Sequence, residues 1–211
     1  DGALSTSWHA DLARRPRVLR LLVLLLDVRD LRDPGPPAVG PVDVGEMRPE
    51  DGRDAAEVAA FGFYGRSAET VRGYLADGQH CHVARRDGHV VSCFWAAEGT
   101  YHDQYLRREL TFGDDEEYLL GAYTLPESRG DGVLPYLLYT TIRGQAEAHP
   151  GLRAVALVRP ENAASLHSVA KLGFRVVGSL GFVEVFGARL HFLRPRGILT
   201  GTGRRTFLAL R

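Results

Sequence analysis

The stretch Tyr118-Leu119-Leu120-Gly121-Ala122-Tyr123-Thr124-Leu125-Pro126-Glu127-Ser128-Arg129-Gly130-Asp131-Gly132-Val133-Leu134-Pro135 runs from an apolar segment of strand length, through a loop with two glycines, into a helix start. Residues 118–125 are mostly apolar and stop at a proline, which suits a strand buried inside a sheet. Beyond the loop, Leu134, Leu138, Ile142 and Ala146 recur at helical spacing. Pro135 falls in the first turn, where its missing N–H costs nothing. Arg129 to Leu134 therefore lie between a strand and a helix N-terminus, where glycine lets a ligand approach the backbone and free amides favour an anion. Taken alone, such a loop is as compatible with a structural turn as with a phosphate site. A Walker loop needs Lys-Ser/Thr after its last glycine, and a dinucleotide fingerprint needs three glycines at G-x-G-x-x-G spacing. Val133-Leu134 and the two-glycine spacing satisfy neither.

Downstream, Ala154-Val155-Ala156-Leu157-Val158 is a second buried strand, and the right-handed crossover rule makes it a parallel neighbour of 118–125. A helix from Asn162 to Leu172, stopped by Gly173, leads to further sheet over 174–182 and 183–193. Upstream, His80 to Arg85 and Val90 to Trp95 flank an Asp87-Gly88 turn and predict an antiparallel hairpin. A short strand over 42–47, a helix over 54–61 and a second helix from Ser67 to Asp77-Gly78 precede it. Residues 100–116 read as a polar, aromatic-rich insertion, of the kind that sets specificity at the end of a sheet. The class is α/β: a mixed, mostly antiparallel central sheet with one parallel pair, flanked by helices.

Residues 1–40 differ from the rest. The leucine run from Val18 to Leu26 is followed by Asp33-Pro34-Gly35-Pro36-Pro37, and the reading is an N-terminal helical appendage with a linker, ahead of a domain over 41–211. Leucines around most of a helix need a cover, which the domain itself, a second copy in a homodimer or another partner would supply. The run falls short of the ~18 apolar residues of a membrane span. Acidic and basic residues balance at 26 each, so nothing in the net charge recommends nucleic acid, and a small molecule is the default partner. With a two-residue turn, Cys81 opposes Phe94 and Cys93 opposes His82, an offset that predicts free buried thiols in a reducing, cytoplasmic setting. Strand alternation sends His80 and His82 to the face opposite Cys81, so no metal site is expected.

Leu125 to Gly132 resembles the acetyl-CoA motif of the GCN5-related N-acetyltransferase (GNAT) superfamily, R/Q-x-x-G-x-G/A after the fourth strand. Arg129 and Gly132 are on the pattern; Leu134 stands where glycine or alanine is usual. Arg159-Pro160-Glu161-Asn162-Ala163-Ala164-Ser165, followed by Lys171-Leu172-Gly173-Phe174, resembles the second motif, an asparagine opening a helix that closes in K-L-G-F. The resemblance covers residues 42–195 and is specific over 118–180.

The resemblance implies N-acetyl transfer from acetyl-CoA to a small-molecule amine in a ternary complex. Amides of Arg129, Gly130, Asp131, Gly132, Val133 and Leu134 would cradle the pyrophosphate. Backbone groups of Ala122, Tyr123 and Thr124 would pair with the pantetheine arm, and an amide near Thr124 would serve the oxyanion. Asn162 would touch the arm, cap its helix, or do both. The family's base is often a glutamate near the start of the fourth strand; the matching position holds Tyr118, with Glu117 beside it as the candidate. Many members place an acid tyrosine seven residues after the asparagine, where this chain has Val169, which leaves His167, another nearby group or solvent. Packing roles for His167 and Tyr118, another acyl donor, an amino-sugar or hydroxyl acceptor, and a non-catalytic CoA-binding module remain open at this level.

Overall fold

The protein is built on one eight-stranded sheet. The computed structural model describes residues 17–62, 67–186 and 188–194, with the strands Ile198–Leu199, Arg205–Thr206 and Ala209–Leu210. In chain order these are β1 (Arg17–Asp27), β2 (Asp43–Glu46), α1 (Gly52–Ala60), α2 (Ala68–Ala76), β3 (His80–Arg86), β4 (His89–Glu98), β5 (Thr100–Asp103), β6 (Arg108–Thr111) and β7 (Glu116–Thr124). Then follow α3 (Val133–Ala148), β8 (Arg153–Val158), α4 (Ala163–Lys171), β9 (Arg175–Val185), β10 (Ala188–Arg194) and the short strands β11 to β13. The order across the sheet is β10-β9-β1-β8-β7-β4-β3-β2, with β7 and β8 parallel and every other registered pair antiparallel.

Helices α3 and α4 cover one face, where Leu137, Leu138, Ile142, Val169 and Leu172 pack on Leu24, Leu26, Phe94 and Leu119. The other face has two covers. Helices α1 and α2 bury Val83, Cys93 and Trp95. The β5–β6 hairpin, which is what the insertion forms, buries Leu106, Leu110 and Phe112 against Leu25, Tyr118, Val155 and Leu180.

The leucine run is not helical. It is β1, inserted between β8 and β9 and antiparallel to both. Leu21, Val23 and Leu25 enter the cluster on the hairpin face, while Leu24 and Leu26 enter the helix-covered cluster. A strand buried on both faces needs apolar residues at consecutive positions, the pattern that a helix-period reading takes for leucines all round. The cover sought for those leucines is the β5–β6 hairpin on one face and α3 and α4 on the other; residues 1–16 lie outside the described ones. From Val28 the linker runs over the helix-covered side, and the Ala38 amide bonds the Asp131 carbonyl at 2.8 Å.

The β3–β4 turn is at Asp87-Gly88, both at positive φ, but a register shift at Ala84/Arg85 moves the pairing by one residue. Cys81 therefore opposes Trp95 and Cys93 opposes Val83. Both thiols are free and buried, and burial, ahead of the neighbouring Cys93, pushes the Cys81 thiol well up. Strand β9 continues to Val185 before turning, rather than ending at 182.

Candidate functional site

Strands β7 and β8 run together and then part. Glu116 to Leu119 pair with Arg153 to Ala156, and no register follows, although β7 continues to Thr124 and β8 to Val158. On the other edge of β7 the pairing with β4 slips: Cys93 opposes Tyr123 and Trp95 opposes Leu120, so Gly121 and Ala122 together face Phe94. Gly121, at φ 58°, makes this bulge without a Cβ clash. A bulge turns backbone groups out of the ladder, and here it does so beside the gap between the parallel strands.

The loop after β7 carries residues 129–132. Gly130 and Gly132 have φ of 88° and 83°, and a Cβ on either would meet nothing within 4 Å, so the space above the loop is open. Gly132 is the N-cap of α3 and has no side chain to close the helix end. Among the described residues, the amides of Gly130 to Leu134 make no hydrogen bond. Open space, positive φ and exposed amides fit the pyrophosphate of acetyl-CoA. The Arg129 side chain turns away from that space: its Nε donates to the Thr124 carbonyl at 3.0 Å and its guanidinium lies over the Tyr123 ring. Arg86 holds the loop from below through an ion pair to Asp131 at 3.4 Å.

Asn162 caps α4, its Oδ1 accepting the Ser165 amide at 3.1 Å. Its backbone N–H donates to the Arg159 carbonyl at 3.0 Å, and the residue lines the cleft beside the end of β8 described below.

The three catalytic candidates are not brought together. Glu117 and Tyr118 are neighbours on β7 and so face opposite sides of the sheet. Glu117 is 2% exposed and accepts a 2.7 Å hydrogen bond from Gln145 of α3. Burial pushes its carboxyl pKa up, against the opposing Gln145 bond. Tyr118 lies on the hairpin face, stacked on Phe112 at 4.9 Å and tilted against Tyr101 at 5.4 Å. His167 is exposed on α4. Val169, at the acid-tyrosine position, is buried with the core leucines.

Sequence reasoning did not find the cleft of about 390 Å³ lined by Val18, Leu19, Arg20, Arg159, Glu161 and Asn162. Arg20 was hidden in a run read as helix, and Arg159 and Glu161 in a motif read for its asparagine.

No known family's sequence profile matches the chain, and no curated protein sequence does. Solved structures do match. A tandem GNAT protein of the clavulanic acid biosynthesis pathway aligns over 89% of this chain and 61% of its own, at TM-score 0.57 and 16% identity. An acetyltransferase of the GNAT family from Colwellia psychrerythraea aligns over 86% and 58%, at 0.51 and 15%. A glucosamine N-acetyltransferase region of a fungal multi-domain β-N-acetylglucosaminidase aligns over 88% of this chain and 22% of that one, at 0.53 and 15%. The fold is that of the GNAT superfamily. The chain spans about six-tenths of the length of the first two proteins, 61% and 58%.

Proposed function

We propose that the protein transfers an acetyl group from acetyl-CoA to the amine of a small molecule, directly within a ternary complex. The observation that carries this reading is the parting of β7 from β8 at Leu119 beside the Gly121–Ala122 bulge, directly below an open loop of free amides. That arrangement offers a strand-like arm a ladder edge and an anion a helix N-terminus. In the transfer the carbon–sulfur bond of the thioester breaks, a carbon–nitrogen bond forms, the amine gives up a proton and the thiolate gains one. The chain's part is to hold the donor by residues 122–124 and 129–134, to offer an amide near Thr124 to the oxyanion, and to orient the amine. Among the candidates for the proton we take Tyr118, whose hydroxyl lies on the hairpin face, ahead of Glu117, one oxygen of which accepts from Gln145 under α3. The two buried free thiols suit a reducing compartment, and we assign the protein to the cytoplasm on that basis. Among the described residues no helix is long and apolar enough to cross a membrane.

Calorimetric titration with acetyl-CoA and with CoA tests the reading. Saturable one-to-one binding, lost in a folded Gly132→Trp variant, is the expected result; absence of binding to either would overturn it. The buried Val169 favours one second reading, a CoA-binding module without turnover. Tight CoA binding with no thiol release across a broad amine panel would favour that module.

A further inference from the structure

We infer that the cleft at the start of β1 is the acceptor subsite and that it selects an amine that also bears a carboxylate. The inference rests on the transferase reading above. The cleft exists because β1 overshoots β8. The last registered pair between them is Leu22 with Val158, while β1 extends back through Leu21, Arg20, Leu19 and Val18, supported only by β9 on its far side. After Val158 the chain turns through Arg159 to Asn162 into α4, and the space between that turn and the overhanging strand is about 390 Å³. Volumes of about 300–1,000 Å³ are those of small-molecule sites.

The lining charges define the ligand. Arg20 and Arg159 contribute two guanidiniums and Glu161 one carboxylate. None of the three forms an ion pair or side-chain hydrogen bond among the described residues. Guanidinium donors match a carboxylate in geometry and charge, and Glu161 complements the cationic end of the same molecule. Val18 and Leu19 supply apolar wall. Position links the cleft to the chemistry: it opens on the loop that follows β8, the strand from which β7 parts, and its lining includes Asn162, the residue that the resemblance brings to the pantetheine arm. A ligand held there lies beside the arm rather than beyond the loop of residues 129–134.

The test uses the full chain, saturating acetyl-CoA and a thiol-release assay. Free α-amino acids are compared with the same compounds as α-carboxamides, in the parent protein and in Arg20→Gln, Arg159→Gln and Glu161→Gln. The expected result is a kcat/KM at least tenfold higher for the free acids. Each arginine substitution should raise KM for them at least tenfold with kcat within twofold, and CoA affinity by calorimetry should be unchanged. Equal turnover of acids and carboxamides, turnover of neutral amines alone, or CoA binding with no amine turned over would each overturn the assignment. So would variants that weaken CoA but not dephospho-CoA, since the arginines would then serve the cofactor's 3′-phosphate. Failure of the parent protein to bind CoA at all would sink the transferase reading itself, and calorimetry separates that outcome from the others.

Discussion

Two buried ionisable side chains on the helix-covered face of the sheet titrate in opposite senses. His82 is 8% exposed and stacked on Phe94 at 5.1 Å, and burial brings its pKa down to about 4. A folded-state value below that of the unfolded chain means that the unfolded chain binds the extra proton, so His82 favours folding above pH 6.5 and this is lost as pH falls toward 4. Glu117 works the other way. Its raised pKa means that the folded protein keeps a proton the unfolded chain has released, so stability falls as pH rises from 4.5 toward the raised value. His82→Phe, which keeps the stack, should flatten the acid limb of a melting-temperature profile between pH 6.5 and 4. Glu117→Gln should remove the opposing slope and leave the protein no less stable at pH 7. An unchanged profile in either variant would show that the group does not titrate with folding. At the same scale, Tyr118→Phe keeps the rings in place and deletes only the hydroxyl. If Tyr118 handles the proton, kcat falls about a hundredfold with little change in stability; an unaltered kcat would assign the proton to solvent.

Glycine fixes how two elements meet their neighbours. In K-L-G-F, Gly173 ends α4 at φ 100°, and a Cβ there would sit 2.5 Å from the Asp30 carbonyl oxygen, just past the end of β1. Gly173→Ala should cost about 1–3 kcal/mol from the backbone conformation alone, with more from the contact, read by chemical denaturation. Gly181 of β9 faces Arg20 across the ladder, and a Cβ there would come within 1.9 Å of the Leu19 carbonyl oxygen. Gly181→Ala should therefore lift the overhanging start of β1 and raise the acceptor KM while leaving CoA affinity intact; a weaker CoA affinity with unchanged acceptor KM would contradict the placement of the cleft. The motif glycines were legible because turn, helix end and anion site each demand a residue without a Cβ. Gly181 was not, since its partner lies in a strand more than a hundred residues away that reads locally as helix.

At the scale of the molecule, what the sequence reading made an appendage holds the sheet together. In the order β10-β9-β1-β8, among the described residues the β9–β10 pair joins the rest of the sheet through β1. The motif-bearing stretch over 118–174 could be read without knowing this, because its strand, loop and helix signals are local and follow one another in the chain. The leucine run could not, because a continuous apolar segment fits a buried strand and a buried helix equally until its neighbours are known. The two readings separate by experiment. If residues 1–40 were an appendage, removing residues 1–27 would leave a cooperatively folding domain that still binds CoA. With β1 as a central strand, that truncation exposes Val155, Leu180 and the other side chains packed against it, and the chain should lose its cooperative thermal transition. A single substitution makes the same point more gently. Leu24 is 2% exposed among α3 and α4 residues, so Leu24→Ala should cost about 2–5 kcal/mol. Against a total stability of about 5–15 kcal/mol, that loss is large enough to lower the denaturation midpoint plainly. A loss under about 0.5 kcal/mol, the range of surface changes, would mean that the strand is peripheral after all.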